Sequence, residues 1–373
     1  MKILKTSLHD KHIQLNAKMV DFAGFSMPIS YPSGINVECD FVRKNVGLFD
    51  VSHMGQILIE GESSLKFVEY LTSNNVSKLI NNQCQYSLLC NDNGGIIDDL
   101  ILYRINQDKF ILVINASNID KDYKWIANKQ KDFCSEFTQS SLFVKNLSSD
   151  ISLIAVQGPN SRRILKNFDE FRTSVNDLDF YHFSDISDNH ELRIISRTGY
   201  TGELGYEIYG SHNYIKNIWD QLVEKLSVPP IGLAARDILR LEMCYRLYGN
   251  DMNEKISPYE CGLGWVVKDL TSSNFVGCDA IRNIKKSMNQ KLVCLEMKDK
   301  CIPRKGYRLV SNNDDVGFIS SGAFSPNLKK GIAMAFIDFN KVDKNNLYVK
   351  IRDKMFLANI VNSPFLKETS LFE

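Results

Sequence analysis

Residues 83–105, QCQYSLLCNDNGGIIDDLILYRI, decide most about the fold of this 373-residue chain. QCQYSLLC and IIDDLILYRI are apolar stretches of strand length, and NDNGG between them supplies the residues that tight turns need. The pattern predicts an antiparallel hairpin. Farther along the chain, KFILVINA predicts a third strand, and IDKDYKWIANKQ predicts a helix that Asn118 can cap. Residues 51–130 therefore indicate an α+β unit built on antiparallel strands.

The rest of the chain continues as a mixture of helices and strands. ISLIAVQG predicts a buried strand, and IGLAARDILRLEMCYRLYG predicts a helix from Ile231 that ends at Gly249. From about residue 285, short strand candidates alternate with Gly, Asn and Asp. This spacing predicts an antiparallel barrel or sandwich as a separate C-terminal domain. KKSMNQK, residues 285–291, is the predicted linker before it.

Composition and charge exclude several classes of function. The 45 Lys+Arg and 44 Asp+Glu residues nearly cancel, which argues against a nucleic-acid-binding surface. No apolar run approaches the ~20 residues of a membrane span, and the N-terminus lacks the apolar core of a signal peptide. The nine cysteines form no C-x-x-C pair, which favours free thiols in a reducing compartment over disulfides or a metal site. We therefore expect a cytoplasmic protein that binds neither nucleic acid nor membrane.

The sequence also lacks the short motifs of several large enzyme classes. It has no phosphate loop, no G-x-G-x-x-G after a strand, no G-x-S-x-G elbow and no H-E-x-x-H. This argues against most kinases, dinucleotide enzymes, serine hydrolases and zinc proteases.

Two adjacent acids, Asp98 and Asp99, lie in an otherwise apolar strand. Because strand side chains alternate between faces, Asp99 shares its face with Tyr103 and Asp98 faces the other way. At least one carboxylate is expected against apolar surroundings, which costs free energy unless it is paired or functional. The alternative is that one aspartate bonds the turn backbone beside Gly95. The residues alone leave both interpretations open.

Residues 197–207, RTGYTGELGYE, combine three glycines with a ring and two carboxylates. The glycines allow a tight turn and the close approach of a flat ligand, on whose face Tyr200 could stack. The carboxylates of Glu203 and Glu207 could accept two hydrogen bonds from a heterocycle with an amino group beside a ring N–H. The alternative is a hairpin loop with surface glutamates.

Two arginines four residues apart, Arg236 and Arg240, lie in the predicted helix that starts at Ile231. Neighbouring cations repel unless an acid or an anion lies between them. Arg236 could therefore pair with Asp99, bind a ligand, or hold two segments together. Glu242 and Arg246, also four residues apart, are predicted to form an ordinary surface pair.

Read in order, the chain resembles the aminomethyltransferases, or T proteins, of the glycine cleavage system. The resemblance extends over nearly the whole chain, and NGGIIDDL together with RTGYTGELGYE is its most specific part. Other matching runs are MVDFAGFSMPISY, VRKNVGLFDVSHMG, VINASNIDKDYKWI, IAVQGP, IGLAARDILRLEMCYRLYGNDM, SPYECGLGWVVK and ISSGAFSPNLKKGIAMAFI.

The resemblance implies an α+β fold of three domains, a cloverleaf around a central folate channel. Residues 1–280 would form the folate-binding aminomethyltransferase region. Its first domain would be discontinuous, at about 1–50 and 140–280, with an inserted α+β domain at about 51–139. An antiparallel β-barrel would follow at 285–367.

The resemblance further implies transfer of a methylene carbon from S-aminomethyl-dihydrolipoyl H protein to tetrahydrofolate. The products would be methylene-tetrahydrofolate, ammonia and dihydrolipoyl H protein. Tetrahydrofolate would be the co-substrate, with no metal, flavin or nucleotide. The lipoylated H protein would be the direct partner, with a functional association with the P and L proteins.

Family site residues carry over by position. Asp99 matches the catalytic aspartate, Glu207 the glutamate that binds the pterin, Tyr200 the neighbouring aromatic and Arg236 the motif arginine. Lys367 stands where many members have arginine; it can meet a carboxylate only as a point charge. Further folate contacts match Met54, Tyr86, Tyr103, Val113, Asn115 and Trp265.

Two alternatives remain on the same fold. One is a folate-dependent demethylase that takes a methyl group from a small substrate. The other is a non-catalytic folate-binding protein, which would be expected to lose the catalytic acid, whereas Asp99 is present.

Overall fold

The computed structural model describes residues 3–136, 141–188 and 191–373. The chain divides into two compact units. The first unit comprises Met1–Ser87, Asp99–Arg236 and Thr369–Glu373, and the second comprises Leu88–Asp98 and Asp237–Glu368. No helix among the described residues is long and apolar enough to cross a membrane.

Strands supply most of the regular structure. They are, in chain order, β1 (Leu4–Lys5), β2 (Lys18–Phe22), β3 (Phe25–Ser30), β4 (Gly47–Asp50), β5 (Gly55–Glu60), β6 (Gln83–Cys90), β7 (Ile96–Asn106), β8 (Lys109–Ile114), β9 (Phe143–Asn146), β10 (Ser152–Gln157), β11 (Phe183–Asp185), β12 (Ile194–Ser196), β13 (Gly205–Gly210), β14 (Gln290–Met297), β15 (Arg308–Ser311), β16 (Asp314–Ser325), β17 (Lys330–Asp338), β18 (Leu347–Ile351) and β19 (Lys354–Val361).

Helices connect these strands. They are α1 (His9–Gln14), α2 (Ile35–Lys44), α3 (Ser64–Leu71), α4 (Ile119–Glu136), α5 (Ser161–Leu165), α6 (Ser174–Asp177), α7 (His212–Asp220), α8 (Leu233–Glu242) and α9 (Cys278–Ser287). Short 3₁₀ turns occur at Val76–Lys78, Ala116–Asn118 and Gly264–Val266, and a π-helical turn at Gln221–Lys225 extends α7.

Among the described residues, the strands before residue 211 form three open sheets. Their strand orders are β1-β3-β2, β6-β7-β8-β5-β9 and β11-β12-β13-β10-β4. The predicted hairpin is confirmed, because β6 and β7 are neighbours joined by the NDNGG turn. β1 pairs parallel with β3, whereas β10 with β13, β10 with β4, β5 with β8 and β7 with β8 pair antiparallel. The antiparallel arrangement lets a short turn connect β7 to β8.

The core of the first unit forms where α7 packs on β10 and β13. Every residue of β10 is buried, and α7 contributes Ile215, Ile218 and Trp219 to the same cluster. Leu48 of β4 and Tyr206 of β13 are fully buried in it. Each large apolar side chain removed from water in this way contributes roughly 1.5–3 kcal/mol. This packing fixes β13, which carries Glu207.

The C-terminal strands close into a barrel in the order β14-β17-β16-β15-β18-β19, with β14 pairing with both β17 and β19. Closure leaves no unpaired edge in the ring. The interior is filled by buried apolar side chains that include Leu295, Leu309 and Val349. The predicted fold class, mixed helices and sheets with a C-terminal antiparallel barrel, is confirmed.

Three local predictions were wrong. The helix predicted to reach Gly249 ends at Glu242, because Cys244 adopts a left-handed φ of 57° that an α-helix cannot contain. The predicted surface acid Glu242 is fully buried, and its carboxylate accepts hydrogen bonds from Ser325 and Asn327. The predicted linker 285–291 is mostly regular structure, since α9 ends at Ser287 and β14 begins at Gln290.

Candidate active site

The Asp99 carboxylate is held between two neighbouring strands of the first unit. Oδ2 accepts a hydrogen bond of 2.9 Å from the Tyr86 hydroxyl on β6, and Oδ1 accepts one of 2.8 Å from the Asn115 side-chain amide. Asn115 directly follows β8, which pairs with β7. Asp99 is half-buried, whereas Asp98 is fully buried. A fixed carboxylate that is still accessible can stabilise a positive charge that develops beside it.

A second carboxylate, Glu207, lies on β13 and is also half-buried. The Thr198 hydroxyl donates a short hydrogen bond to its Oε2. Burial raises the pKa of Glu207 above the ordinary range, and this is opposed by the Thr198 hydrogen bond, by the positive charge of Arg236 and by a hydrogen bond from Tyr209. These three neighbours therefore favour the ionised form of Glu207, whereas burial favours the protonated form.

Tyr103 contacts Thr198 and is 1% exposed. Its hydroxyl is 2.8 Å from the Tyr209 hydroxyl, 3.0 Å from Ser196 Oγ and 3.4 Å from Thr198 Oγ1. Burial raises the pKa of Tyr103 far above its usual range, so the phenol stays protonated. A protonated phenol can donate one hydrogen bond to one of these three hydroxyls. The resulting network of hydroxyls orients Thr198 toward Glu207.

Arg236 stacks on the ring of Tyr200. Its guanidinium carbon lies 4.7 Å from the ring centroid, within cation–π range. Arg236 is half-buried on α8, and Tyr200 is half-buried in the loop before β13. The contact orients a cation and an aromatic face on the same part of the first unit, an arrangement suited to a flat, polar heterocycle.

The glycine loop, residues 197–205, wraps around the buried side chain of Gln157. A Cβ at Gly199 would lie 2.0 Å from Gln157 Oε1, and one at Gly205 would lie 2.3 Å from Gln157 Nε2. Thr201 Oγ1 donates a hydrogen bond of 2.9 Å to Gln157 Oε1, and Gln157 Nε2 donates one of 3.2 Å to the Thr198 carbonyl oxygen. The glycines are thus required by close packing, and this fixes the loop path that carries Tyr200.

His53 is buried between Phe22 and Phe25, with ring centroids 5.6 Å and 6.4 Å away. Burial and the charge of Arg236 lower its pKa to about 4, against the opposing effect of Asp50. The imidazole is therefore neutral at pH 7. Met54, the next residue, is half-buried.

Comparison with known proteins places the chain in a family. Residues 8–270 match the GCVT N-terminal domain, and residues 290–367 match the glycine cleavage T-protein C-terminal barrel domain. The chain belongs to the glycine cleavage T-protein family.

Individual relatives agree with this assignment. The chain is 43% identical to an aminomethyltransferase of Pseudothermotoga lettingae over 367 residues, 97% of this chain and 98% of that protein. It is 42% identical to an aminomethyltransferase of Thermotoga neapolitana over 366 residues, 97% of this chain and 98% of that protein. The crystal structure of the glycine cleavage system aminomethyltransferase T of Bartonella henselae matches with a TM-score of 0.90 at 30% identity, covering 98% of this chain and 99% of that one. The chain is therefore an enzyme, an aminomethyltransferase of the glycine cleavage system.

Within this T-protein family member, the structure joins several residues that the sequence indicated separately. Asp99, Tyr86 and Asn115 form one hydrogen-bonded group, and Arg236 links Tyr200 to Glu207 through stacking and charge. Val113 on β8 is 5% exposed and lies opposite Gln56 of β5.

Two predicted site residues, Trp265 and Lys367, belong to the second unit. Trp265 is 69% exposed in a 3₁₀ turn, and Lys367 is exposed. Their assignment to a folate site stays a prediction.

Sequence reasoning did not identify Thr198, Ser196 or Tyr209, whose hydroxyls meet Tyr103 and Glu207. The available signal was the two-residue repeat of a strand, which puts Tyr209 on the same face of its strand as Glu207.

Proposed function

We propose that this chain transfers the methylene carbon of an S-aminomethyl-dihydrolipoyl group on the H protein to tetrahydrofolate, with release of ammonia. The products would be methylene-tetrahydrofolate and dihydrolipoyl H protein. The single observation that supports this most is the half-buried Asp99 carboxylate, held at both oxygens by Tyr86 and Asn115. Family membership supports the folate co-substrate and the glycine cleavage context.

Asp99 is proposed as the catalytic residue. Tetrahydrofolate supplies the nitrogen nucleophiles, and the transferred carbon becomes more positive as ammonia leaves. The Asp99 carboxylate would stabilise this charge, because its oxygens are already oriented and need no rearrangement during the reaction. It could also accept a proton from the attacking nitrogen. Tyr86 and Asn115 donate to it and so keep it in place.

Glu207 is proposed to bind the pterin ring. A carboxylate can accept two parallel hydrogen bonds from a ring N–H and its neighbouring amino group, which matches the pterin edge. Tyr200 offers a ring face, and the nearby charge of Arg236 favours the ionised form of Glu207. The chemistry of these side chains therefore fits a reduced pterin.

Other assignments remain part of the proposal. Folate contacts are proposed at Met54, Tyr103 and Val113, and separately at Trp265 and Lys367, on the family resemblance alone. Partners would be the lipoylated H protein, with the P and L proteins acting in the same system, in the cytoplasm. The domain limits proposed are 1–50 with 140–280, 51–139, and 285–367.

The test measures methylene-tetrahydrofolate and ammonia formed from aminomethylated H protein, tetrahydrofolate and this chain. In Asp99→Asn, which removes the charge and keeps the shape, we expect kcat to fall by roughly 10²–10³-fold, because one electrostatic contribution to the transition state is lost. Folate affinity should change by less than about 3-fold, since the amide can still hydrogen-bond.

Asp108→Asn is the matched control, because Asp108 is an exposed acid in the turn between β7 and β8. It should retain wild-type activity. Folate binding without any product from the wild-type chain would point to a folate-binding relative. Product from a small methylated amine in place of aminomethylated H protein would point to a demethylase. A collapse of folate affinity in Asp99→Asn with unchanged turnover per bound folate would contradict the assigned role.

A further inference from the structure

The last five residues of the chain, Thr369–Glu373, belong to the first compact unit, together with the glycine loop. They are called the tail below. The residues immediately before them, Asp237–Glu368, belong to the second unit. The contacts of the tail with the glycine loop are local to the first unit and join positions far apart in sequence.

Ser370 makes the central contact of the tail. Its backbone N–H and its hydroxyl both donate to Oε2 of Glu203, at 2.9 Å and 2.6 Å. Its hydroxyl oxygen also accepts a hydrogen bond of 3.0 Å from the Leu204 backbone N–H. Ser370 is 5% exposed and Glu203 is 4% exposed. The polar groups of the two residues are therefore hydrogen-bonded to each other away from water, within the glycine loop.

The other oxygen of Glu203 binds Arg43 of α2. Arg43 Nη1 lies 2.8 Å from Glu203 Oε1 and also donates a hydrogen bond of 2.6 Å to the Thr201 carbonyl oxygen. Both side chains of the ion pair are less than a tenth exposed. A buried carboxylate costs free energy unless its oxygens are paired, so Arg43 and Ser370 together hold the Glu203 side chain in place.

The remainder of the tail is attached at two further points. Arg162 Nη1 donates a hydrogen bond of 2.8 Å to the Glu373 carbonyl oxygen, and Arg197 Nη2 donates one of 3.4 Å to the Leu371 carbonyl oxygen. The ring of Phe372 meets Phe180 edge-on at 5.2 Å. Arg197 opens the glycine loop, so the tail is bound to that loop at its start and at Glu203.

We propose that the tail, through Ser370, is a positioning element for folate binding. A loop with glycines at 199, 202 and 205 loses much backbone entropy when it becomes ordered, so ligand binding would be weakened unless another segment orders the loop beforehand. The hydrogen bonds that Ser370 donates to Glu203 and accepts from the Leu204 N–H supply this order at a buried point of the loop. Tyr200 and Glu207 then keep the geometry that the pterin needs. This inference rests on the proposed folate-binding role of those two residues.

The test compares Ser370→Ala with Ser370→Thr, which retains the hydroxyl. In Ser370→Ala we expect the KM and the calorimetric Kd for tetrahydrofolate to rise by roughly tenfold, because the loop must be ordered at each binding event. The kcat at saturating folate should stay within about twofold, since Asp99 is untouched. Ser370→Thr should recover most of the affinity. Ser287→Ala, an exposed serine at the end of α9, is the matched control and should change neither constant.

Hydrogen exchange on the wild-type chain provides a second measurement that needs no variant. Tetrahydrofolate should slow amide exchange in residues 199–205 and in residues 370–373 together. An affinity unchanged in a folded Ser370→Ala chain would overturn the positioning role, as would protection of the loop without protection of the tail. A wild-type chain that binds no tetrahydrofolate would instead remove the proposed function itself, so the two failures are distinguishable.

Discussion

At the scale of single residues, Glu207 shows how neighbours set the charge of a carboxyl group. Burial favours its protonated form, while Thr198, Arg236 and Tyr209 favour the ionised form. The balance leaves the pKa of Glu207 above its ordinary value. In the proposed pterin-binding role of Glu207, a pterin edge that donates two hydrogen bonds needs the ionised carboxylate, so folate affinity should report the charge of this residue.

Glu207→Gln tests that role. The amide keeps the size of the side chain and removes the charge, so tetrahydrofolate affinity should fall by roughly 10–100-fold, the equivalent of about 1.5–3 kcal/mol for a charged hydrogen-bonding group. Calorimetric titration measures the affinity, and kcat at saturating folate should change only a few fold. A large loss of kcat with unchanged affinity would assign Glu207 to the chemical step instead.

The same residue predicts a pH dependence. Because the pKa of Glu207 is raised, lowering the pH protonates it earlier than an ordinary glutamate, and wild-type affinity should decline with a midpoint above pH 4.5. The ratio of wild-type to Glu207→Gln affinity, measured across pH, isolates this contribution. A ratio that stays constant down to pH 4.5 would contradict it.

At the scale of elements, a buried ion pair of Arg240 with Asp251 lies at the C-terminal end of α8. Arg240, 1% exposed, lies 2.8 Å from the fully buried Asp251 and donates to the Tyr245 carbonyl oxygen and to Ser321 on β16. Asp251 also accepts hydrogen bonds from Ser320 and Ser321. The sequence indicated an acid or an anion between Arg236 and Arg240; in the structure, Arg240 pairs with Asp251 and Asp237.

The two acids around Arg240 allow a matched comparison. Asp251→Asn leaves a buried guanidinium without its buried charge partner, so the free energy of unfolding of the second unit should fall by about 3–5 kcal/mol. Asp237 also contacts Arg240 but is 47% exposed, and Asp237→Asn should cost less than about 1 kcal/mol. Urea unfolding curves of the two variants measure the difference. Equal losses would show that burial does not decide the strength of these pairs.

At the scale of the whole molecule, the free energy of unfolding depends on pH through the buried His53. The folded-state pKa is lowered to about 4 from 6.5, so between these values the unfolded chain binds more protons than the folded one. The contribution of the neutral His53 side chain to stability is therefore fully present above about pH 6.5, and it is lost as the pH falls toward 4. At most about 3 kcal/mol is involved, because each pKa unit corresponds to about 1.4 kcal/mol.

His53→Gln removes this titration and keeps a polar side chain. The difference in unfolding free energy between wild type and variant, measured by urea titration from pH 7 to 4, should shift by up to about 3 kcal/mol against the wild type. Taking the difference cancels buried groups that do not act on His53, such as Glu38, whose pKa is also shifted, whereas the interaction of His53 with Asp50 remains part of the measured difference. A difference that stays flat with pH would contradict the burial of a neutral imidazole.

The sequence by itself determined the features that depend on local pattern. Apolar stretches of strand length and turn residues in 83–105 predicted the β6–β7 hairpin, and short strand candidates after residue 285 predicted a barrel or sandwich, of which the structure has the barrel. Asp98 and Asp99 stood out because charge in an apolar strand has a cost that local sequence makes visible. The order of the motifs also indicated the family, because many short matches at compatible spacing occur in one chain, and the family models confirm it.

Only the tertiary structure decided the features that depend on contacts between distant residues. Glu203 meets Ser370 across 167 positions, and Glu242 meets Ser325 across 83. No local periodicity encodes such a pair, so a surface glutamate and a buried, fully bonded one have the same sequence signature. The end of α8, the depth of Tyr103 and the anchoring of the tail follow the same rule: burial and pairing belong to the packed chain, and the sequence supplies only the groups that packing brings together.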